Sequence, residues 1–307
     1  MSASPRVNPA SPNPSPSSSN ADRHRDWNRV LGGWGLLGPA GLWLFLLLIL
    51  PTLIILELSF APGFQPENTL DAYDWTNYFQ AFEPLYLQVI GRSIFLAIGT
   101  TLLCLAMGFP VAYWIAILSP VRWRNLLLLG FIMPLWTSSL LRSYAWITIL
   151  RPTGVLNTIL TTIGLPALDI FNRPPAVLIG MSYSYLPYMV LVLYSSLERL
   201  DRRLLEASAD LGASPPKTFW KITVPQTAPG IWAGGLLVFI SSLGDFVDPE
   251  LLGGASSMTI TRLIYNQFLG AARNWGFGSA LSMLLMLVVS LAMVLLIKYG
   301  DSNARGK

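Results

Sequence analysis

The chain has 307 residues, 53% of them hydrophobic and only 12% charged. A soluble domain averages about 25% charged residues, so this composition excludes an ordinary soluble enzyme and points to an integral membrane protein. The net charge of +4 is spread between apolar runs and not gathered in one patch, which argues against nucleic acid as a partner.

Residues 1–28 are rich in Ser, Pro and Asn and read as a disordered tail. No short basic start runs straight into an apolar core, so the tail is not read as a signal peptide. The first apolar run is long and reads as an uncleaved anchor. A helix crosses hydrocarbon with about 20 apolar residues. Six runs qualify, at roughly 30–60, 87–118, 125–150, 175–197, 229–252 and 277–299. Pro51, Pro110, Pro134 and Pro187 fall inside them and are tolerable, because neighbouring helices re-satisfy the freed backbone groups. The predicted fold is an all-α integral membrane protein with six transmembrane helices. Its membrane domain covers 29–300, with a polar loop at 198–228 and a short tail at 301–307.

Basic residues in the short connections set orientation. Arg6, Arg23, Arg25 and Arg29, then Arg122 and Arg124, then Arg199, Arg202, Arg203, Lys217 and Lys221, then Lys298, Arg305 and Lys307 all fall on one face. That face is predicted to be cytoplasmic, with both termini inside. The first outer loop carries acids instead: Glu67, Asp71, Asp74 and Glu83. Cys104 lies in an apolar run and reads as a small buried hydrophobe. His24, the single histidine, is in the tail, so no metal site and no cofactor are expected.

The polar loop contains "RLLEASADLGASPPKTFWKITVPQ", residues 203–226. Leu200, Leu204, Leu205 and Leu211 sit among good helix formers, and Gly212 suits a left-handed helix cap. Ser214 and Pro215 suit a second helix start, and Pro225 is expected to stop that helix. The predicted product is two short helices with a hard bend. Phe219, Trp220 and Ile222 would give it an apolar surface, to be received by a protein groove or laid on lipid.

Glu206, Ala207, Gly212, Ile222 and Pro225 match the spacing of the EAA loop of ABC importer permeases, with Ser208 and Val224 in place of Ala and Leu. The stretches "FIMPLWTSSLLRSYAWITIL", "GMSYSYLPYMVLVLYSSLERL" and "LGDFVDPELLGG" resemble the permeases of spermidine/putrescine importers, over roughly 38–299. Permeases for ferric iron, sulfate or molybdate share the architecture. The resemblance implies a type I importer permease whose 206–225 loop, with Phe219 and Trp220, docks on an ATP-binding subunit. It implies two such ATPases, a second permease or a copy of this chain, and an extracytoplasmic binding protein, all at the plasma membrane. No G-x-x-x-x-G-K-[ST] stretch occurs, so ATP hydrolysis is expected elsewhere and the chain is not expected to be an enzyme. A passive channel or a membrane sensor is the other class, and neither needs the loop spacing.

Polyamines call for carboxylates and aromatic faces. Asp245, Asp248 and Glu250, at the end of the fifth run, are the candidate carboxylates; Trp136, Tyr144, Trp146, Tyr183 and Tyr185 are the candidate rings. With one continuous helix, Asp245 and Asp248 share a face. Pro249 disfavours helix at Asp248, and Glu250 reads as a solvated loop residue. Arg142 has three readings: pairing with an acid, snorkelling to the interface, or holding an anionic substrate. The plain alternative for the acids is a helix end at the outer membrane edge.

Overall fold

The computed structural model describes residues 38–39, 41–66, 73–254 and 257–305, and they are helical with short connections. The tail 1–28 with His24, the loop acids Glu67 and Asp71, and Lys307 lie outside these residues. The chain divides into two compact units at Ile54/Ile55. In the first runs α1 (Gly41–Ser59, its last turn belonging to the second unit), which passes through a π-turn at Phe45–Ile49 and exposes Leu42, Trp43 and Leu44.

The second unit holds the rest. After α2 (Thr76–Ala81), α3 (Pro84–Leu118) and α7 (Pro174–Glu198) form long apolar spans, as does the Trp275–Val294 part of α13 (Trp275–Arg305). With α1 this gives four clear spans among the described residues, or five if a bent pair is counted. That pair is the expected third span, which is not one straight helix. It comprises α4 (Val121–Ile132, extended by a 3₁₀ turn Met133–Trp136), α5 (Ser139–Leu150) and α6 (Val155–Thr162), with a 92° bend. Pro134 begins the tight turn, and Thr137 then turns extended (ψ 148°). The expected fifth span is also shorter than read. Helix α10 (Val224–Leu243) ends at Gly244, and α11 (Val247–Leu252) is a separate short helix. Gln226, Pro229 and its glycines dilute the apolar content of α10.

Helices α3, α7 and α10 pack mutually at the centre of this unit. Cys104, Phe109, Ile115, Met189, Val190, Leu193 and Val238 are buried between them. Gly230 is required at one crossing: a Cβ there would meet Ser196 Cβ at 2.3 Å. Helices stay intact across Pro110, Pro187 and Pro229. Asn77 is buried and donates from its amide to the Ser59 and Ala61 carbonyls, closing the end of α1 against α2. Beside it, the Thr76 hydroxyl and the Trp75 N–H both donate to the Asp74 carboxylate, holding its pKa below the usual range.

Candidate functional site

At one end of α10, residues Gly244–Phe246 form a turn that brings three carboxylates into three different settings. Asp245 lies two residues before α11, its Oδ1 accepting the Val247 N–H at 2.9 Å. It is half-buried, and the Tyr185 ring lies beside it, with Oη donating to the Ser241 carbonyl at 3.1 Å. Asp248 is 3% exposed and accepts hydrogen bonds from the Ser143 hydroxyl and, at 3.1 Å, the Ser184 hydroxyl. It thereby ties α11 to α5 and α7. Glu250 is helical, exposed and paired with Arg262, whose guanidinium also donates to the Gly254 carbonyl at 2.6 Å. So Asp245 and Asp248 do not share a face of one helix, because the helix breaks between them. Pro249 does not exclude helix at Asp248 either. It falls in the first turn of α11, where the backbone N–H has no intrahelical partner to lose.

The bent span supplies the remaining candidates. Arg142 pairs with no described acid. Its guanidinium donates to the Pro134 and Thr137 carbonyls at 2.7 and 3.0 Å, filling the acceptors that the break leaves open. It stays within electrostatic reach of Asp248. Trp136 and Tyr144 are exposed, at 76% and 54%, so these two rings do not join the carboxylates. Trp146 and Tyr183 pack edge to face at 5.5 Å. A ring pair not foreseen from the sequence does stand at the turn: Phe246 and Tyr265 stack at 5.1 Å and 12°. Helix α12 (Ile260–Leu269) carries Tyr265 there, and its Thr261 hydroxyl donates to the Leu243 carbonyl at 2.8 Å. Tyr265 lies twenty positions beyond Asp245, and no local pattern links the two.

At the other end of α10 is the bent loop. Helix α8 (Arg202–Asp210) starts at Asp201, whose carboxylate accepts the Arg203 N–H, and ends at Gly212 with φ +75°. The Gly212 N–H reaches the Ala209 carbonyl and the Ala213 N–H the Ser208 carbonyl, the paired closure of a Schellman cap. Helix α9 (Pro215–Thr218) starts at Ser214, but the Ser214 hydroxyl makes no cap bond; Pro216 has removed one of the N–H groups it would accept. The buried Ser208 hydroxyl instead meets the Thr218 hydroxyl at 2.8 Å, locking the two helices. Pro225 does not stop the second helix. A π-turn at Phe219–Thr223 joins α9 to α10, and Pro225 falls in the first turn of α10. Glu206, Ala207 and Trp220 are exposed, Trp220 at 68%, and Ile222 is half-buried. Phe219 turns inward onto Phe109 and Tyr113, at 5.3 and 5.8 Å between ring centres. Where α7, α8 and α10 meet, a cavity of about 490 Å³ is lined by Ser195, Ser196, Arg199, Asp201 and Gln226. It is at the loop end of α10, away from the acid turn.

Residues 108–305, about two-thirds of the chain and including both ends of α10, match the family model described as binding-protein-dependent transport system inner membrane component. The chain belongs to that family. Among relatives of this permease, the spermidine/putrescine transport system permease protein PotB of Haemophilus influenzae is 39% identical over 261 residues, 84% of this chain and 89% of the relative. PotB of Escherichia coli is 41% identical over 254 residues, 82% of this chain and 92% of the relative. The permease also resembles solved importer structures. A bacterial ABC transporter involved in import of the acidic polysaccharide alginate has a TM-score of 0.71 at 19% identity, covering 93% of this chain and 99% of that one. The MetNI methionine ABC transporter has a TM-score of 0.55 at 14% identity, covering 72% and 97%. These similarities make the permease an all-α membrane transport component with the type I ABC importer fold.

Proposed function

We propose that the chain is one permease subunit of an ATP-driven importer that carries polyamines, spermidine and putrescine among them, across the plasma membrane into the cytoplasm. The observation that carries the reading is the 39–41% identity, over more than four-fifths of the chain, to permeases named for spermidine/putrescine transport. In this reading the termini and the α8–α9 loop face the cytoplasm, in line with the distribution of Lys and Arg. Two ATPase subunits, a second permease or a copy of this one, and an extracytoplasmic binding protein complete the complex.

The α8–α9 loop would dock on the ATPase through its exposed Glu206, Ala207 and Trp220, with Gly212 setting the bend and Phe219 anchoring the loop to α3. Ile222 and Pro225 then belong to the transmission. Because α9 is continuous with α10 from Pro215 to Leu243, a push on the loop would travel along one helix about 40 Å long at 1.5 Å per residue. Just past the far end of that helix, in the turn, lies Asp245. Movement of the ATPases would thus change the setting of the acid turn. Asp245, half-buried beside Tyr185, is our candidate carboxylate on the polyamine path. Asp248, Glu250 and Arg142 would hold the surrounding frame, and Trp136 and Tyr144 would face lipid or a neighbouring subunit.

The test is uptake by the complete complex in proteoliposomes with its cognate binding protein, comparing putrescine, spermidine, ferric iron, sulfate and molybdate. Polyamine uptake dependent on ATP is expected. Uptake of one of the other solutes with no polyamine transport would overturn the substrate, and ATP-independent flux would favour a channel.

A further inference from the structure

We propose that the stacked Phe246–Tyr265 pair is an aromatic face that receives an ammonium group and the adjoining methylene run of a polyamine, with the Asp245 carboxylate as countercharge. This rests on the polyamine reading above and adds the residues that would recognise the chain of the substrate.

Three observations support it. First, the rings are nearly parallel at 12°, whereas the other described ring contacts are tilted or edge-on, and they remain 36% and 42% exposed. Parallel stacking leaves the outer face of each ring open, and a ring face attracts an ammonium group while its carbon surface suits methylenes. Second, the pair is built into the acid turn. Phe246 follows Asp245 directly, and Tyr265 is one helical turn beyond Thr261, whose hydroxyl holds the Leu243 carbonyl. Third, an acid stands at the pair. One oxygen of Asp245 accepts the Val247 N–H and the Tyr185 ring lies beside the carboxyl, which is half-buried and leaves further acceptor positions. The arginines of this region are engaged elsewhere, Arg262 with Glu250 and the Gly254 carbonyl, Arg142 with the Pro134 and Thr137 carbonyls. An anion would be repelled by both the carboxylate and the ring faces; a flexible organic cation satisfies both.

The experiment uses the full complex in proteoliposomes with saturating polyamine-loaded binding protein and labelled putrescine and spermidine. The double variant Phe246→Leu, Tyr265→Leu keeps apolar bulk but removes the rings. The swap Phe246→Tyr, Tyr265→Phe keeps both rings. Uptake is expected to fall about tenfold in the double-Leu variant and stay within about twofold in the swap, with ATPase subunits bound normally in each. Wild-type uptake by the double-Leu variant overturns the proposal. So does loss of complex assembly in that variant, which would give the patch to a neighbouring subunit. A wild-type complex that moves no polyamine overturns the substrate reading itself, and is distinguished because it is seen in the unaltered chain.

Discussion

Asp248 is the residue at which a structural role and a transport role separate most cleanly. Asp248→Ala leaves the Ser143 and Ser184 hydroxyls without the carboxylate they bind, in a site 3% exposed. Hydrogen bonds inside membrane proteins average about 0.6 kcal/mol and reach about 1.7, so losing two costs about 1–3.5 kcal/mol. Asp248→Asn behaves differently. Its amide oxygen accepts from the Ser184 hydroxyl and its NH₂ donates to the Ser143 oxygen, whose proton, released from the carboxylate, goes to the Ser139 carbonyl at 3.0 Å. The Asn variant therefore stays within about 1 kcal/mol of wild type. The assay is thermal unfolding of the purified complex followed by tryptophan fluorescence. At roughly 2–4 °C per kcal/mol, Asp248→Ala lowers the midpoint by about 2–14 °C and Asp248→Asn by no more than about 4 °C. Equal losses for the two variants would refute the hydrogen-bond account. Unchanged midpoints with uptake abolished would move Asp248 from the frame to the substrate path.

Four further outcomes are expected. Asp245→Asn weakens polyamine uptake by about tenfold while Glu250→Gln changes it less than about threefold, measured at matched expression; equal uptake by both would return the acids to a plain helix end. Gly212→Val, forced into φ +75° with open space around its Cβ, costs about 1–2 kcal/mol of backbone strain and uncouples ATP hydrolysis from uptake; coupled uptake with normal assembly would end the docking-loop reading. Arg142→Gln uncovers the Pro134 and Thr137 carbonyls, and hydrogen exchange across 133–139 is expected to rise at least about fivefold, matching a loss of about 1 kcal/mol; unchanged exchange would show that the bend holds without Arg142. The Asp74 pKa is lowered in the folded turn, so its stabilisation is present above an unfolded value near 3.9 and lost as pH falls through the folded value; Asp74→Asn should remove that acid-side change from Trp75 fluorescence, and its persistence in the variant would assign it to another group.

Much of the architecture was legible along the chain because hydrocarbon and turn geometry act locally. The apolar runs at 87–118, 175–197 and 277–299 correspond to α3, α7 and the apolar part of α13 within a few residues. Gly212 takes the left-handed cap that its position after a leucine-spaced helix demands. The bent third span was not legible, since "FIMPLWTSSLL" satisfies the apolar count whether straight or folded at Pro134. Pro225 misled for a related reason. Its missing N–H falls where the π-turn Phe219–Thr223 runs into α10, and the helix continues through that wider turn past the proline.

The sequence by itself determined that this chain lives in a membrane, where its main helices run and where its bent loop projects, because each follows from hydropathy or from neighbours within a turn. Only the tertiary structure decided the roles of the three carboxylates. The turn bond from the Val247 N–H at Asp245, burial between two serines at Asp248 and pairing with Arg262 at Glu250 depend on partners from 2 to 105 positions away. It also brought Tyr265 against Phe246 and turned Phe219 inward. Those contacts come from packing between helices, and spacing along one helix carries no record of which neighbour it will meet.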